Sequence, residues 1–310
     1  MWLKPVAVLA LLFTVSLANA QDTSPRVGNR VVLTYPATLR TSKRAVQPID
    51  WRVYTVRKVR GERVLIVSGG LSGWVRSGGV VRGDQAIEWF TRGITAFPLS
   101  AGNYNCRGLV WDSLEEYDRA IADYNEAIRL DPWSAITYTN RGYAWCSKKE
   151  YDEAIADYNE SIRLDPRCVL AFLNRGVAWQ NKHEYYKAHD DFKMAIRLKP
   201  RFPRAHCRLA LLYATCPDPK FRDGKLAIES ATRACELCLW NEASSIASLA
   251  AAHATSGDFE KAVEYQTRSN GLMESDEQWT KAEERAKGQE NLELYRNKKP
   301  AQEEGLPSTW

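Results

Sequence analysis

The sequence predicts a two-part fold: a small all-β barrel near the N-terminus, followed by an all-α solenoid that ends in a capping helix. The first observation behind this prediction is a repeat. Residues 151–166 read YDEAIADYNESIRLDP, and similar stretches begin at equal spacing on either side, at Tyr117 and at Tyr185. A fixed period of this length is typical of stacked helical hairpins, which bury their apolar faces only against neighbouring hairpins. The second observation is that residues 27–83 are rich in β-branched and aromatic residues, which favour strands.

Charge divides the chain at the same place. Residues 21–84 contain 12 basic and 4 acidic residues, whereas 30 basic and 34 acidic residues follow them. A basic N-terminal part on a mildly acidic C-terminal part indicates two surfaces with different partners. The alternative is that the arginines of the basic part are only solvated.

Residues 1–20 have the composition of a signal peptide. An apolar run from Val6 to Leu17 precedes Ala18-Asn19-Ala20, which fits a small-x-small cleavage site. An uncleaved anchor is the alternative, but the run is well short of the ~20 apolar residues that span a bilayer. We therefore expect cleavage before Gln21 and export to the periplasm or the exterior, with no membrane-spanning segment left after cleavage.

The basic part is predicted to form four or five short strands. Residues 30–35, 51–59 and 63–67 have strand composition, and Gly61 lies in the short connection between the last two. The stretch GLSGWVRSGGVV at residues 70–81 resembles the closing strands of bacterial Src-homology-3-like domains, chiefly through Gly73-Trp74-Val75. That resemblance covers residues 27–83 and implies a small barrel.

Members of the Src-homology-3-like family often bind cell-wall glycans or peptides, so a surface on the barrel could dock to an envelope polymer or a second partner. The candidate residues on that surface are Arg57, Lys58, Arg60 and Trp74. Trp74 could equally belong to the barrel core, and the basic residues could simply be solvated. No single-strand motif accompanies the charge, so nucleic-acid binding is not expected.

The repeats share a set of small and aromatic positions. We number each unit so that Pro132, Pro166 and Pro200 stand at position 32. Position 8 is then Gly in three units, position 11 is Trp in the same units, and position 24 is Tyr or Phe. Small residues let paired helices approach closely, and the proline ends the second helix of each unit because it cannot continue the hydrogen-bond ladder.

This pattern resembles that of the tetratricopeptide repeat. The family implies helical hairpins over residues 85–270, opened by a half-unit at 85–98. The predicted units are 101–134, 135–168, 169–202 and two degenerate ones, 203–237 and 243–270. Residues 275–299 are predicted to form the capping helix that covers the last unit, and residues 300–310 a disordered tail.

One departure from the family pattern is a pair of charged columns. Position 7 is Arg107, Arg141 and Arg175, and position 23 is Asp in the same three units. Antiparallel helices could bring each Arg to its own Asp. We favour a structural ladder of ion pairs over a ligand site.

The family resemblance implies a peptide-binding concave face lined by the first helices. Some relatives hold a peptide's C-terminal carboxylate with Asn at position 6 of one unit and basic residues at positions 2 and 6 of the next; Asn174, Arg204 and Arg208 match these positions. Asn140 and Tyr143 lie on the same predicted face, as does Asp112. Thr139 and Tyr143 replace the upstream Lys and Asn of the family, so the full clamp is absent, and a generic polar groove is the alternative.

Seven cysteines leave at least one thiol unpaired in a monomer. Antiparallel packing could place Cys207 beside Cys235 or Cys238, which allows a disulfide or a thiol-active site. The other interpretation, which we favour, is that these are buried, inert thiols. No catalytic constellation, metal site or cofactor motif is found, so we do not expect an enzyme. The sequence indicates an exported bacterial adaptor that binds a protein or peptide, with an envelope redox protein using Cys235 and Cys238 as the alternative.

Overall fold

A computed structural model describes the helical part of the chain at residues 83–274 and 282–301. It also describes the backbone of seven strands between residues 30 and 82. The predicted signal peptide at residues 1–20 lies outside the described residues, as do residues 275–281 of the predicted cap and residues 302–310 of the predicted tail.

The strands form one antiparallel sheet in the order β3-β2-β6-β5-β4-β1-β7. Their bounds are β1 Arg30–Leu33, β2 Leu39–Arg40, β3 Ala45–Val46, β4 Val53–Arg60, β5 Arg63–Ser68, β6 Leu71–Arg76 and β7 Val80–Arg82. Arg60 pairs with Arg63, as the hairpin predicted around Gly61 requires. The two-residue strands β2 and β3 bring the number to seven rather than four or five. Closure of the sheet into a barrel stays a prediction.

Twelve helices follow in the described part of the chain. Their bounds are α1 Gly83–Ala96, α2 Ala101–Ser113, α3 Tyr117–Leu130, α4 Ala135–Ser147, α5 Tyr151–Leu164, α6 Val169–Asn181, α7 Tyr185–Leu198, α8 Pro203–Thr215, α9 Gly224–Leu237, α10 Ala243–Thr255, α11 Phe259–Glu274 and α12 Ala282–Arg296. Helices α2 to α11 pack as five successive hairpins, and each hairpin contacts the next. This is the predicted helical solenoid.

The turn inside each of the first three hairpins contains a residue with positive φ. Glu115, Lys149 and His183 have φ values of 64, 65 and 60°. In each turn the next residue donates its backbone N–H to a first-helix carbonyl, as Glu116 does to Trp111 at 3.0 Å. These bonds satisfy carbonyls at the C-terminal end of the first helix and direct the chain back along it.

Between units, a Leu-Asp-Pro segment ends the second helices α3 and α5. The carboxylate of Asp131 accepts a hydrogen bond from the Trp133 N–H at 3.2 Å, and that of Asp165 accepts one from the Arg167 N–H at 2.9 Å. Such short-range bonds favour a turn over helix continuation. The repeat boundaries therefore follow from local chemistry as well as from the period.

The core of each of the first three hairpins is built from an aromatic ring on the second helix and a glycine on the first. The rings of Tyr124, Tyr158 and Phe192 are fully buried. A Cβ added to Gly108 or Gly142 would lie 2.6 or 2.8 Å from the facing tyrosine ring. The glycines therefore create the space that the rings fill.

The C-terminal end differs from the sequence prediction in three places. Helix α11 continues to Glu274 instead of ending at residue 270, and the described part of the cap, α12, spans Ala282–Arg296. Ala301, which was assigned to a disordered tail, is buried and packs with Tyr295 against Ala250. Ala301 therefore belongs to the packed end of the array, whereas Pro300 is exposed and the rest of the predicted tail lies outside the described residues.

Candidate functional site

The first helices of successive units form the inner surface of the solenoid. Helix α2 contacts α4, α4 contacts α6, and α8 contacts α10, whereas α6 and α8, and the second helices of successive units, contact one another less. Because the first helices are closer together, the array curves with them on the inside. We call this surface the concave groove, and it is lined by α2, α4, α6 and α8.

The predicted Arg–Asp ladder is present and lies between helices. Arg141 donates to both carboxylate oxygens of Asp157, from Nε at 2.8 Å and from Nη2 at 2.6 Å. The same two bonds measure 2.8 and 2.6 Å between Arg107 and Asp123, and 2.9 and 2.7 Å between Arg175 and Asp191. Bidentate pairing of this kind fixes both the distance and the rotation of the two helices.

Each arginine also reaches the preceding unit. Nη1 of Arg141 donates to Oδ1 of Asn125 at 2.7 Å, and Nη1 of Arg175 donates to Oδ1 of Asn159 at 2.6 Å. The equivalent bond from Arg107 goes to Oγ1 of Thr91 at 3.1 Å. The ladder therefore joins neighbouring units as well as the two helices of one unit, which supports its structural interpretation.

Burial disfavours the charged forms of the ladder residues, whereas pairing favours them. The hydrogen bond with Asp123 raises the pKa of Arg107. Burial raises the pKa of Asp157, against the hydrogen bond and charge of Arg141. The carboxylate thus depends on its arginine to remain charged.

The two asparagines predicted to bind peptide have different surroundings. Asn140 on α4 donates from Nδ2 to Oδ1 of the buried Asn105 on α2 at 3.0 Å. Its amide nitrogen therefore links two units along the groove through one of its two hydrogens. Asn174 on α6 is half-buried.

Arg204 and Arg208 lie one turn apart on α8. Arg204 is exposed, while only 9 % of Arg208 is exposed. Burial lowers the pKa of Arg208 to about 10, and the charge of Arg204 contributes to this shift. The structure thus brings together the two basic residues that the sequence assigned to a carboxylate.

Tyr143 lies on α4, between Asp112 on α2 and the two arginines on α8 in the order of the inner helices. Its side chain on α4 is 44 % exposed. Loss of hydration raises the pKa of its hydroxyl; the charge of Asp112 adds to this increase, and the charge of Arg204 opposes it. Tyr143 is therefore close enough to both residues for each charge to act on it.

Asp112 on α2 is the groove residue whose importance the sequence did not reveal. Its Oδ1 atom is buried and has no hydrogen-bond partner among the described residues. Burial raises the pKa of Asp112 to about 7, and the hydroxyl of Tyr124 opposes that shift. The one available signal was that position 12 is acidic in this unit but Cys146 and Gln180 in the next two.

The cysteines named as a possible disulfide or redox site are free thiols in this structure. Sγ of Cys207 lies 3.2 Å from Oγ of Ser245, and Cys238 donates to the carbonyl of Cys235 at 3.3 Å. Burial raises the pKa of both Cys207 and Cys235 to about 12. A thiolate is the reactive species, so burial disfavours thiol chemistry at Cys207 and Cys235. The described residues contain no group of side chains arranged to hold a metal ion.

The candidate residues of the barrel surface can be placed only by register. Arg57 lies at the irregularity in β4 between Val56 and Lys58, and Trp74 on β6 is the partner of Leu65 on β5. The assignment of these residues to a binding surface stays a prediction. Among the described helices, none combines the length and apolar character that crossing a membrane requires.

Comparison with protein families identifies the repeats. A family model described as tetratricopeptide repeat matches residues 135–168, and one described as TPR repeat matches residues 113–145. Comparison with curated proteins returns no match.

Solved structures of the same fold cover most of the array. The Cut9 and Hcn1 hetero-tetramer of APC/C matches with a TM-score of 0.59 at 15 % identity, over 69 % of this chain and 40 % of that chain. Yeast Tom70 matches with a TM-score of 0.53 at 18 % identity, over 68 % and 43 %. YrrB, a TPR protein with an unusual peptide-binding site, matches with a TM-score of 0.44 at 21 % identity, over 62 % and 96 %.

The matched segment thus spans less than half of the Cut9–Hcn1 and Tom70 chains. The family matches fall on the units whose ladder, glycines and turns are the most regular. The chain therefore carries tetratricopeptide repeats at residues 113–168, within a longer helical solenoid of the same fold.

Proposed function

We propose that the repeat array is an adaptor that binds a protein or peptide segment in the concave groove and holds a carboxylate of that segment on Arg204 and Arg208. The observation that carries this proposal is the burial of Arg208 one helical turn from a second arginine. A role in binding, without catalysis, is consistent with the inert thiols and with a ladder whose charges are already paired.

The electrostatics of α8 explain why an anionic group would be bound there. Burial and the like charge of Arg204 both disfavour the charged form of Arg208. A carboxylate between the two guanidinium groups would offset both effects, and a guanidinium offers paired donors in the geometry that a carboxylate accepts. In this proposal, the side-chain amides of Asn174 on α6 and Asn140 on α4 would hydrogen-bond the backbone of an extended ligand.

The shape of the array also supports a polypeptide ligand. Five hairpins create a long groove rather than a closed pocket, and the exposed ring of Tyr143 provides an apolar surface within it. Among the structures of the same fold, Cut9 assembles with Hcn1, which is itself a protein. We extend this class of partner, but not the partner itself, to the present chain.

A capture experiment tests the carboxylate. The purified full chain is immobilised and exposed to an equimolar mixture of synthetic hexapeptides, half with a free C-terminal carboxylate and half with a C-terminal amide. We expect the acids to be retained about tenfold better than the amides, which corresponds to roughly 1.4 kcal/mol. The double variant Arg204→Gln/Arg208→Gln should lose this preference.

A matched double variant controls for the loss of positive charge. Arg163→Gln/Arg197→Gln removes two exposed arginines from second helices, and it should keep the preference for acids. Equal retention of acids and amides by the unmodified chain would contradict the proposal.

We further propose that the N-terminal sheet closes into a Src-homology-3-like barrel that docks the exported protein to an envelope polymer or a second partner. Support comes from the register, in which Arg60 on β4, Arg63 on β5 and Arg76 on β6 occupy paired positions on adjacent strands. Isolated cell-wall polymer should retain the chain in low salt and release it in high salt. Release of Arg60→Gln/Arg63→Gln at the same salt concentration as the unmodified chain would argue against this role.

A further inference from the structure

Asp112 is a carboxylate at the end of the groove opposite the arginines. Its side chain is at position 12 of the first full unit, on an inner helix, and its Oδ1 atom is buried without a hydrogen-bond partner among the described residues. A buried carboxylate that accepts few hydrogen bonds is costly unless a donor arrives from elsewhere. Two influences act on the pKa of Asp112: burial raises it, and the Tyr124 hydroxyl lowers it. Neither of them is a cation.

The neighbouring units show that a carboxylate at this position is not required for packing. Tyr158 occupies the place of Tyr124 in the next unit, and its hydroxyl is equally buried. The residue at position 12 there is Cys146, which is neutral because burial raises its pKa to about 11. The same hairpin packing is therefore achieved without the acid.

The groove has opposite charges at its two ends. Tyr143 lies within reach of Asp112 on α2 and of Arg204 on α8, so one exposed ring separates an acidic end from a basic end. A polypeptide placed across Tyr143 with its carboxylate on Arg204 and Arg208 would extend towards Asp112.

We propose that Asp112 is a second specificity-determining residue of the groove and that it binds a lysine or arginine side chain of the same peptide whose carboxylate is held by Arg204 and Arg208. This inference rests on the proposed function and makes it narrower: the ligand is a peptide with a basic residue upstream of its carboxylate. The cationic side chain would pair with the charge of the Asp112 carboxylate, and the exposed face of Tyr143 would pack against the segment between the two ends.

The test uses the hexapeptide mixture with free C-terminal carboxylates and the full chain. Bound peptides are sequenced by mass spectrometry, and the frequency of Lys and Arg at each position is compared with the input. We expect an enrichment of about tenfold at one position upstream of the C-terminus, because a charge-assisted hydrogen bond in a partly buried site discriminates at that level. Asp112→Asn, which keeps the size of the side chain, should return that frequency to the input value.

Two further variants separate binding from a structural role. Glu153→Gln removes an exposed carboxylate from the second helix α5 and should leave the enrichment unchanged. Tyr124→Phe removes the hydroxyl that lowers the pKa of Asp112, so it should weaken the enrichment at neutral pH and leave it intact at higher pH, where the carboxylate is charged.

The outcomes distinguish this inference from the proposed function. Enrichment of basic residues that disappears in Asp112→Asn supports the assignment. A preference for acids over amides without that enrichment, or an enrichment that persists in Asp112→Asn, overturns the role of Asp112 and leaves Arg204 and Arg208 in place. Capture of no peptide at all would count against both.

Discussion

The space for a Cβ atom determines which residues fit at position 8 of the repeats. A Cβ on Gly142 would lie 2.8 to 3.1 Å from three ring carbons of Tyr158, and a Cβ on Gly176 would lie 2.6 Å from Phe192. In the fourth unit position 8 is Ala210, and it packs in one cluster with Ala231. Alanine therefore replaces glycine at position 8 in the unit whose second helix contributes an alanine to the same cluster.

This fit predicts the effect of one added methyl group. Gly142→Ala should lower the free energy of unfolding by about 1–3 kcal/mol, because a fully buried ring has no room to move away. Gly102→Ala is the matched control, since a Cβ there meets no atom closer than 3.9 Å. Alanine favours helix over glycine, so this control should be neutral or stabilising by up to about 1 kcal/mol. Urea unfolding measures both; equal losses would show that the ring contact does not limit position 8.

Individual side chains also show how far sequence reasoning reaches. The Arg–Asp pairs could be predicted because both residues recur with the period, so any correct pairing of helices brings them together. The burial and the raised pKa of Asp112 could not be predicted in this way. Asp112 interacts electrostatically with Tyr124 and Tyr143, which belong to different helices, and an acid does not recur at position 12 of the next two units.

At the scale of elements, the ladder is a device that holds neighbouring hairpins in register. Arg141 bonds Asp157 in its own unit and Asn125 in the unit before. The ladder ends at the fourth unit, where Leu209 occupies position 7; Lys193, in the third unit, occupies the position of the asparagine. The arginine and the asparagine that join neighbouring units are thus replaced together, and Leu209 packs in the apolar core.

The fourth unit suggests the consequence of removing one arginine. Arg141→Leu should lower the free energy of unfolding by about 3 kcal/mol, because it leaves the Asp157 carboxylate buried without its cation. The double variant Arg141→Leu/Asp157→Leu should recover most of that loss, since an apolar pair of similar volume carries no desolvation cost. Urea unfolding of the single and double variants measures the difference.

An exposed pair provides the control for the ladder. Arg163 bonds Glu160 on the surface, where solvent screens the pair, so Arg163→Leu should leave the free energy of unfolding nearly unchanged. If Arg141→Leu were as mild as Arg163→Leu, the ladder would not contribute to the stability of the array.

Element boundaries were predicted well where proline or the period sets them and less well elsewhere. Asp131-Pro132 and Asp165-Pro166 end their helices at the expected residues. No such signal follows α11, so its extension to Glu274 could not be read from local chemistry. The burial of Ala301 likewise depends on a surface formed by three other helices.

For the whole molecule, the linear arrangement of hairpins confines the effect of a local change. Each hairpin contacts its neighbours, and α12 contacts α11 at the end of the array. Tyr295 on α12 is 1 % exposed and packs among Ala250, Ala254 and Ala262. The cap therefore stabilises the last units directly and the first units only through the intervening ones.

Removal of that ring should loosen one end of the array. Tyr295→Ala is expected to cost about 3–5 kcal/mol locally and to accelerate amide hydrogen exchange in α10 and α11, with little change in α2 to α5. Phe97→Ala, at a side chain that is 68 % exposed, is the control and should leave exchange in α10 and α11 unchanged. A uniform increase along the array in Tyr295→Ala would mean that the solenoid unfolds as one cooperative body.

The link from each arginine to the preceding unit has a consequence for how the array can evolve. Residues 135–168 contain Arg141, its own Asp157, and Asn159, which receives the arginine that follows. An in-frame duplication of this segment would thus bring every partner it needs and leave no buried carboxylate without a cation. The inner surface could lengthen by whole copies of that segment, so the length of ligand that fits between Asp112 and Arg208 would change in fixed steps set by copy number.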